Sequence, residues 1–357
     1  MQKLSAERKN KKKKKRVTVG IPSFNEEVNI SNLLQSLVAL GRPMSRPGSK
    51  NYSSERNENG SVKTEDKVLN SELDFIISEI IISDDSSDNT CRTVEAIAAE
   101  NPSPVIKLLH HNTRRGVPAA WNEIFREATG EIIVLYDADI ITDEHTTSHL
   151  IDSIRDDIGL CASNPKPLLS NTSIISRASM FIAHWLSSVR KSGLSQYTVM
   201  GRALSISSHV AKRIVIPENV LALDLYLQCK VLEQGFNVVY NDDAVVYFKS
   251  PNNMLDFSSQ ILRATNGHKQ IKHVLRGSCH RLDFRTQVVT IFKSIINDPK
   301  GAICLVLCYL LLPYYRTKLT DVNSIKWHIA TSTKAKCIAG ENSVPMKGDN
   351  QLYRGSY

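Results

Sequence analysis

Two aspartates one residue apart, Asp137 and Asp139, are the first residues of this chain whose types and spacing could support chemistry. They follow residues 132–135, an Ile-Ile-Val-Leu run without helical period that predicts a strand buried on both faces of a parallel sheet. Open α/β sheets bind their ligands at the carboxyl ends of such strands. Two carboxylates there can share a hard cation and a phosphate-bearing ligand. Alternatively, one aspartate ends the strand and the other caps the next helix.

Two earlier predicted strands also end in candidate residues. The first, residues 17–21, is followed by Pro22, Phe24 and Glu26, and the second, residues 76–82, ends at Asp84. Helix capping explains part of the acidic cluster after the second strand, but it does not explain Asp84. An aromatic face for a base, carboxylates for ribose hydroxyls and a metal for phosphates would together form a nucleotide pocket.

The elements that must position these residues alternate between strand and helix. Strand, helix, strand, helix, strand, helix, strand is the order that predicts an α/β fold with right-handed crossovers. The chain contains neither a G-x-x-x-x-G-K nor a G-x-G-x-x-G segment. A P-loop ATPase and a dinucleotide enzyme are therefore not supported.

The net charge of +9 is concentrated at the amino terminus. Residues 1–16 hold nine Lys or Arg against one Glu, so the remaining body is almost neutral. This tail predicts a disordered arm that touches anionic lipid or nucleic acid without specificity, and it lacks the apolar run of a secretory signal. Seven scattered cysteines without a C-x-x-C pair predict reduced thiols in a cytoplasmic protein and no zinc site.

Four segments, taken in order, resemble the successive signatures of the family 2 glycosyltransferases. They are I-P-S-F-N-E-E, D-D-S-S-D-N-T, N-T-R-R-G-V-P-A-A-W-N and Y-D-A-D, within about residues 17–250. The family's second motif is usually D-D-G-S-x-D-G-T, and here Ser83 replaces its first Asp while Asp85 takes the Gly position. The resemblance implies the GT-A fold, a Rossmann-like, mostly parallel sheet flanked by helices.

The resemblance also implies roles on the donor side. Asp84 would hydrogen-bond the base, Asp137 would lie by the ribose, and Asp139 would hold Mg²⁺ or Mn²⁺ against the diphosphate. The residues that would border the base and ribose are Pro22, Phe24 and Glu26. A divalent cation suits this chemistry because negative charge builds on the two phosphates as the nucleotide leaves.

The second half would build the acceptor side. Residues 197–206 resemble the strand that family members place beside the sugar, where Arg202 could face phosphate. Asp224 stands in L-D where the family usually has E-D, and the resemblance implies that it is the general base for the acceptor hydroxyl. The alternative is an aspartate that stabilises the amino end of a helix through the helix dipole.

Residues 259–264, also in the second half of the chain, resemble the family's Q-x-x-R-W motif, with Ala264 in the place of Trp. Gln260 and Arg263 lie three residues apart and share a helix face, where Arg263 could bind the leaving diphosphate. The missing Trp weakens the case for processive polymerisation.

The sequence divides into a disordered basic tail (1–16), a glycosyltransferase domain (17–250) with a mobile inserted loop (42–73), a C-terminal helical region (251–320) and a polar tail (321–357). Residues 301–315 are unbroken by charge but too short to span a bilayer. Flanking basic and tyrosine residues suit a helix lying in the membrane interface, and a packed C-terminal helix is the alternative. The expected location is the cytoplasm, and the cytoplasmic face of a membrane is the alternative.

These observations predict a metal-dependent, inverting glycosyltransferase that moves one sugar from a nucleoside diphosphate sugar to a hydroxyl of a glycan or lipid-linked acceptor. A polyprenyl phosphate acceptor would not need Asp224 as a base and remains an alternative. A sugar nucleotidyltransferase is a close enzymatic alternative, but it would be expected to carry a Gly-rich basic loop after the first strand. Residues 22–27, Pro-Ser-Phe-Asn-Glu-Glu, are not such a loop. A protein that is not an enzyme is the other alternative, namely a basic adaptor that binds membrane or nucleic acid. Carboxylates at three neighbouring strand ends argue against an adaptor, because unpaired carboxylates repel each other.

Overall fold

The structure is a computed structural model that describes residues 14–41, 73–143, 145–168, 173–194, 202–274, 284–319 and 332–334. Most of the predicted basic tail, the inserted loop up to residue 72 and nearly all of the polar tail lie outside the described residues. The strand predicted at 197–206 is described only from Arg202 onward.

Strands and helices alternate through the first half of the chain, as predicted. The strands are β1 (Lys15–Ser23), β2 (Phe75–Asp84), β3 (Val105–His110), β4 (Ile132–Tyr136), β5 (Ile140–Thr142), β6 (Ile158–Pro167), β7 (Ala203–Ser207) and β8 (Asn237–Phe248). The helices are α1 (Ile30–Gly41), α2 (Thr90–Glu100), α3 (Val117–Glu127), α4 (Thr146–Asp152), α5 (Ile174–Val189), α6 (Ser208–Ala211), α7 (Leu223–Glu233), α8 (Met254–Gln270), α9 (Phe284–Asn297) and α10 (Pro299–Lys318). A π-helical turn, Arg190–Leu194, continues α5.

The strands form one sheet in the order β3-β2-β1-β4-β7-β6-β8-β5. The first four are parallel, since β1 pairs with β2 and β4, and β2 pairs with β3. β7 then enters antiparallel between β4 and β6, and β5 pairs antiparallel with β8. The predicted α/β class with a mainly parallel sheet is confirmed.

β4 lies in the middle of the sheet and is buried along its whole length, as its apolar run predicts. Ile132, Val134 and Tyr136 point into a core shared with α1, α2 and α4. Ile133 and Leu135 point to the opposite face, where α3 and α7 pack. Successive strand residues alternate between faces. β4 therefore needs apolar side chains at every position.

Two local predictions about strand and helix ends are wrong. The Asn-Asp-Asp of residues 241–243, which predicts a turn between strands, lies inside β8. The pairing of β6 with β8 shifts from Ala162↔Tyr240 to Asn164↔Val245 at this point, so the turn-forming residues produce an irregularity in a continuous strand. The turn of residues 22–27 predicts a helix from about Glu26 to Leu40. α1 instead begins at Ile30, because residues 24–29 form a loop in which Asn25 has a positive φ of 54°.

The C-terminal helices pack on the domain through a small apolar cluster. Its buried members are Ala178 of α5, Phe257 of α8 and Cys308 of α10. Within the described part of the chain, no helix is by itself long and apolar enough to cross a membrane. α9 and α10 meet that criterion only as a pair, and the pair is bent by 112°.

A buried carboxylate at the other end of the parallel strands joins four segments. Glu79 of β2 is 3% exposed and accepts hydrogen bonds from Thr18 of β1 at 2.7 Å and from both the amide and the hydroxyl of Thr129, each at 2.7 Å. Lys107 of β3 forms an ion pair with it at 2.5 Å. Burial alone would raise the pKa of Glu79, but these partners outweigh burial and hold its pKa at about 2.

The depressed pKa of Glu79 predicts a specific pH dependence of stability. Because its pKa in the folded protein lies below the ordinary value of 4.5, ionised Glu79 stabilises the fold above that pH, and this contribution is lost as the pH falls towards 2. We expect Glu79→Gln to lower the free energy of unfolding by about 1–3 kcal/mol near neutral pH, and by less near pH ~3, in urea titrations. Exposed Glu95→Gln is the control, and an effect of Glu79→Gln that is independent of pH would contradict this account.

Candidate active site

The ends of β1 and β2 lie side by side, since Ser23 is paired with Asp84 in the parallel ladder. The Asp84 carboxylate is completely buried and accepts hydrogen bonds from the Ser23 hydroxyl, and from the amide of Ser86 at 3.1 Å and its hydroxyl at 2.5 Å. Burial would raise the pKa of Asp84, but hydrogen bonds led by the Cys91 thiol lower it. Both oxygens are thus engaged by protein groups, and a base would reach Asp84 only after a rearrangement.

Asp84 also contacts the Cys91 thiol and the His110 imidazole. The scattered positions of the cysteines in the sequence do not predict this contact. Cys91 Sγ and His110 Nδ1 each lie 2.9 Å from Asp84 Oδ2 and 2.9 Å from each other. Three potential metal ligands therefore converge here. Burial, followed by the charge and hydrogen bonding of Asp84, raises the pKa of the Cys91 thiol to about 12. A thiol and an imidazole favour softer ions, whereas Mg²⁺ and Mn²⁺ prefer oxygen ligands.

The Asp137 and Asp139 carboxylates share one guanidinium beyond the end of β4. Arg202 Nη1 lies 3.4 Å from Asp137 Oδ2 and 3.2 Å from Asp139 Oδ1. The guanidinium also stacks over the ring of Phe248, 4.7 Å from its centroid. The Arg202 carbonyl accepts a 2.9 Å hydrogen bond from the Asp137 amide, so the backbone holds this side chain beside the carboxylates.

Like charges crowd this position. Burial raises the pKa of Asp137 to about 8, with Arg202 opposing and the charges of Asp139 and Asp224 adding to the rise. The Asp137 side chain is 32% exposed and that of Asp139 is 14% exposed, so both still reach solvent. Two carboxylates this close are stable together only beside positive charge, which Arg202 supplies here.

α7 and α8 bring two more of the predicted residues to the same place. Asp224 stands in the first turn of α7, and Arg263 lies in the middle of α8. Burial lowers the pKa of Arg263, and the charges of Asp224 and Asp137 oppose that shift. Asp224 also contributes to the raised pKa of Arg202. Gln260, one turn before Arg263, is half-buried on the same helix.

The loop after β1 forms the other side of the site. Pro22 and Phe24 are half-buried, and Glu26 is 8% exposed. Burial and the charge of Asp139 raise the pKa of Glu26, against the opposing charge of Lys334. Lys334 therefore lies in the site although nothing in the sequence near it predicts this.

Arg115 lies in the third of the signature segments, and its side chain is held by neighbouring carboxylates. Its side chain is only 28% exposed and pairs with Asp85 at 3.1 Å and with Glu123 at 2.8 Å. It also donates to the Ser83 hydroxyl at 3.1 Å. Ser83 and Asp85 are the two positions that depart from the usual second motif, and both contact Arg115. The two unusual residues of the second motif are therefore part of a local network of ion pairs and hydrogen bonds around Arg115.

A search by family profile gives a match to glycosyl transferase family 2 over residues 62–195. This range includes the second, third and fourth of the sequence signatures. The predicted resemblance is thereby confirmed. No curated protein sequence matches the chain.

The chain is also similar to solved structures. A mannosyltransferase from Pyrobaculum calidifontis, in complex with GDP-Man and Mn²⁺, is 18% identical with a TM-score of 0.51, and the match covers 87% of this chain and 85% of that one. A glucosyl-3-phosphoglycerate synthase from Mycobacterium tuberculosis, in complex with Mn²⁺, UDP and phosphoglyceric acid, is 14% identical with a TM-score of 0.46, over 77% of this chain and 82% of that one. The similarity to the mannosyltransferase structure confirms the predicted GT-A fold.

Proposed function

We propose that this protein is a metal-dependent, inverting glycosyltransferase that moves one sugar from a nucleoside diphosphate sugar to an acceptor hydroxyl. The observation that carries the proposal is the convergence of five charged side chains from β4, β7, α7 and α8. The five are Asp137, Asp139, Asp224, Arg202 and Arg263, separated by up to 126 positions in the sequence. Arg202 pairs with Asp137 and Asp139, and the charge of Asp224 contributes to the pKa shifts of Asp137, Arg202 and Arg263.

The donor's diphosphate would bind between the carboxylates and the arginines. Asp139 fits a role as ligand of Mg²⁺ or Mn²⁺, because it and Asp137 already share one positive group, the Arg202 guanidinium. When bound, the metal would neutralise charge on the leaving diphosphate. Arg263 and Arg202 can bind phosphate oxygens with charge-assisted hydrogen bonds once the aspartates have another partner. This oxygen-rich position suits those ions better than the group that includes Cys91.

The acceptor side of the reaction would be served by Asp224. Its carboxylate would take the proton of the acceptor hydroxyl while that oxygen bonds to the anomeric carbon and the bond from that carbon to the diphosphate breaks. Attack from the side opposite the diphosphate inverts the anomeric centre. Because a neutral hydroxyl is a poor nucleophile, a positioned carboxylate contributes general-base assistance.

The base and ribose would lie along the loop after β1. We assign Pro22, Phe24 and Glu26 to this part of the pocket, with Gln260 on the phosphate side beside Arg263. Asp84 would contact the base only by releasing one of its present donors. The domain division follows from the same assignment: residues 17–250 form the transferase domain and residues 251–320 the C-terminal helical region.

The C-terminal helices supply a surface for a membrane, where a lipid-linked acceptor would be found. Large apolar side chains on α9 and α10 are exposed, including Phe292, Ile296, Ile303, Val306, Leu310 and Tyr314. Basic residues on the same helices could contact anionic lipid: Lys293, Lys300, Arg316 and Lys318. We therefore propose a cytoplasmic protein with peripheral membrane contact, assisted without specificity by the basic amino-terminal tail.

The base assignment predicts a separation of binding from turnover. We expect Asp224→Asn to lower the rate of nucleoside diphosphate release from a nucleotide sugar by about 10²–10⁴-fold, because no carboxylate then takes the proton of the attacking hydroxyl. The affinity for the nucleotide should stay within about threefold of the wild-type value. Glu218→Gln, an exposed change just before α7, is the matched control. Full turnover by Asp224→Asn would refute the base and would favour a phosphate acceptor such as a polyprenyl phosphate.

The membrane surface makes a second prediction. The double variant Ile296→Glu/Leu310→Glu should bind vesicles of phosphatidylcholine and phosphatidylserine about tenfold more weakly than the wild type in sedimentation assays, since the charges oppose burial in the interface. Val215→Glu is the control, because Val215 is 80% exposed but lies outside α9 and α10. Equal sedimentation of the wild type and the double variant would contradict membrane contact through these helices.

A further inference from the structure

A short C-terminal segment, residues 332–334, lies against the loop after β1. Ser332 anchors one end of it, donating from its hydroxyl at 2.6 Å and from its amide at 3.0 Å to Asp256 Oδ2 in the first turn of α8. Thr333 is buried. Lys334 then reaches a loop that is 310 positions away in the sequence. The segment therefore links α8 to the proposed donor pocket.

Lys334 uses all three of its ammonium protons on this loop. Nζ donates to the carbonyls of Phe24 and Asn25, the latter at 3.1 Å, and to Glu26 Oε1 at 2.7 Å. An ammonium group has three donors and no acceptor, so these contacts saturate it. The contacts also stabilise the loop in the conformation that gives Asn25 its positive φ.

The same contacts cover Glu26. Its second oxygen, Oε2, accepts from Asn29 Nδ2 at 3.1 Å, and that amide also donates to the Lys334 carbonyl at 3.1 Å. Both oxygens of Glu26 are thus engaged, and the residue is nearly buried. A ribose hydroxyl could bind Glu26 only in place of one of these partners.

The ring of Phe24 is similarly engaged by cations. The Arg114 guanidinium lies 4.5 Å from its centroid and Lys334 Nζ lies 5.6 Å from it. A base stacking on this ring would compete with those two groups for the same aromatic surface. Two of the three residues proposed to border the base and ribose, Phe24 and Glu26, are therefore in contact with Lys334.

We propose that the 332–334 segment closes the donor pocket and that Lys334 must leave before a nucleotide can bind fully. This inference rests on the proposed function. The Ser332–Asp256 hydrogen bonds lie at α8 rather than at the loop, so Lys334 can withdraw while the segment stays attached. A pocket that is open for only part of the time binds its ligand with an affinity reduced by the open fraction. The segment would thereby act as an internal competitor of the donor.

The direction in which nucleotide affinity changes when the Lys334 charge is removed distinguishes closure of the pocket from direct binding of the nucleotide by Lys334. Removing a cation near an anionic nucleotide weakens binding if that cation contacts the nucleotide. If Lys334 instead occupies the pocket, removing its charge should strengthen binding. The two possibilities predict opposite changes in the dissociation constant of the same variant.

The test is titration calorimetry of full-length Lys334→Met with UDP, GDP, CDP and dTDP in the presence of Mn²⁺. We expect the best nucleotide to bind about fivefold more tightly than to the wild type, the effect of losing a partly exposed ion pair of about 1 kcal/mol. Ser332→Ala, which loosens the segment without changing charge, should act in the same direction by a smaller factor. Lys212→Met, at an exposed lysine outside the pocket, should leave the affinity unchanged.

Each outcome decides between the claims. Tighter binding by Lys334→Met, or binding seen only in that variant, supports closure by the segment. Equal or weaker binding by Lys334→Met overturns it while leaving the nucleotide site in place. No binding by either folded protein overturns the proposed function, and the closure falls with it.

Discussion

Repulsion between carboxylates at one edge of the sheet is the constraint on which this structure depends. Parallel strands place their carboxyl ends together, so β1, β2 and β4 bring the loop with Glu26, Asp84 and the Asp137–Asp139 pair to neighbouring positions. Each carboxylate is compensated differently. Asp84 is held by neutral donors, Glu26 by Lys334, and the pair by Arg202. The fold thus holds a set of anions whose partners can be exchanged.

Such an arrangement suits a ligand that brings both negative phosphates and a divalent cation. The cation can replace an arginine on the carboxylates, and the released arginine can then bind phosphate. Arg202 would serve in both states, and Arg263 and Asp224 are close enough to respond to the change in charge. Electrostatic coupling among groups from separate elements is therefore the physical basis of the proposed donor site.

Much of this could be predicted where the signal is local. The apolar run of β4 indicates a strand buried on both faces. Gly235 follows α7 with a φ of 83°, and a glycine at such a position is typical of a helix stop. The strand-end positions of Asp84, Asp137 and Asp139 follow from the order of elements alone. Motif resemblance added Arg202, Asp224 and Arg263, which come from distant segments and which the structure brings to the same position as the aspartates.

The rest depends on contacts that no local pattern encodes. Glu79 lies among apolar residues of β2 and is stable there only because Lys107, Thr18 and Thr129 reach it from other segments. His110 meets Asp84 through the pairing of β2 with β3, and Cys91 reaches it from the first turn of α2. Lys334 stands in a polar stretch without periodicity, and its place beside Glu26 follows from the anchoring of Ser332 on α8. Asn241 to Asp243 show the reverse case, since a strong local turn signal yields to the pairing of β8 with β6.

The most direct test of the central claim is titration calorimetry of the wild type with UDP, GDP, CDP and dTDP, in Mn²⁺ and in EDTA. Asp139→Ala tests the carboxylate, and Asp243→Ala, an exposed change in β8, is the matched control. The account predicts metal-dependent binding of one nucleotide that is lost in Asp139→Ala and retained in Asp243→Ala. Binding that is unaffected by EDTA and by Asp139→Ala, or no binding to either the folded wild type or folded Lys334→Met, would contradict it.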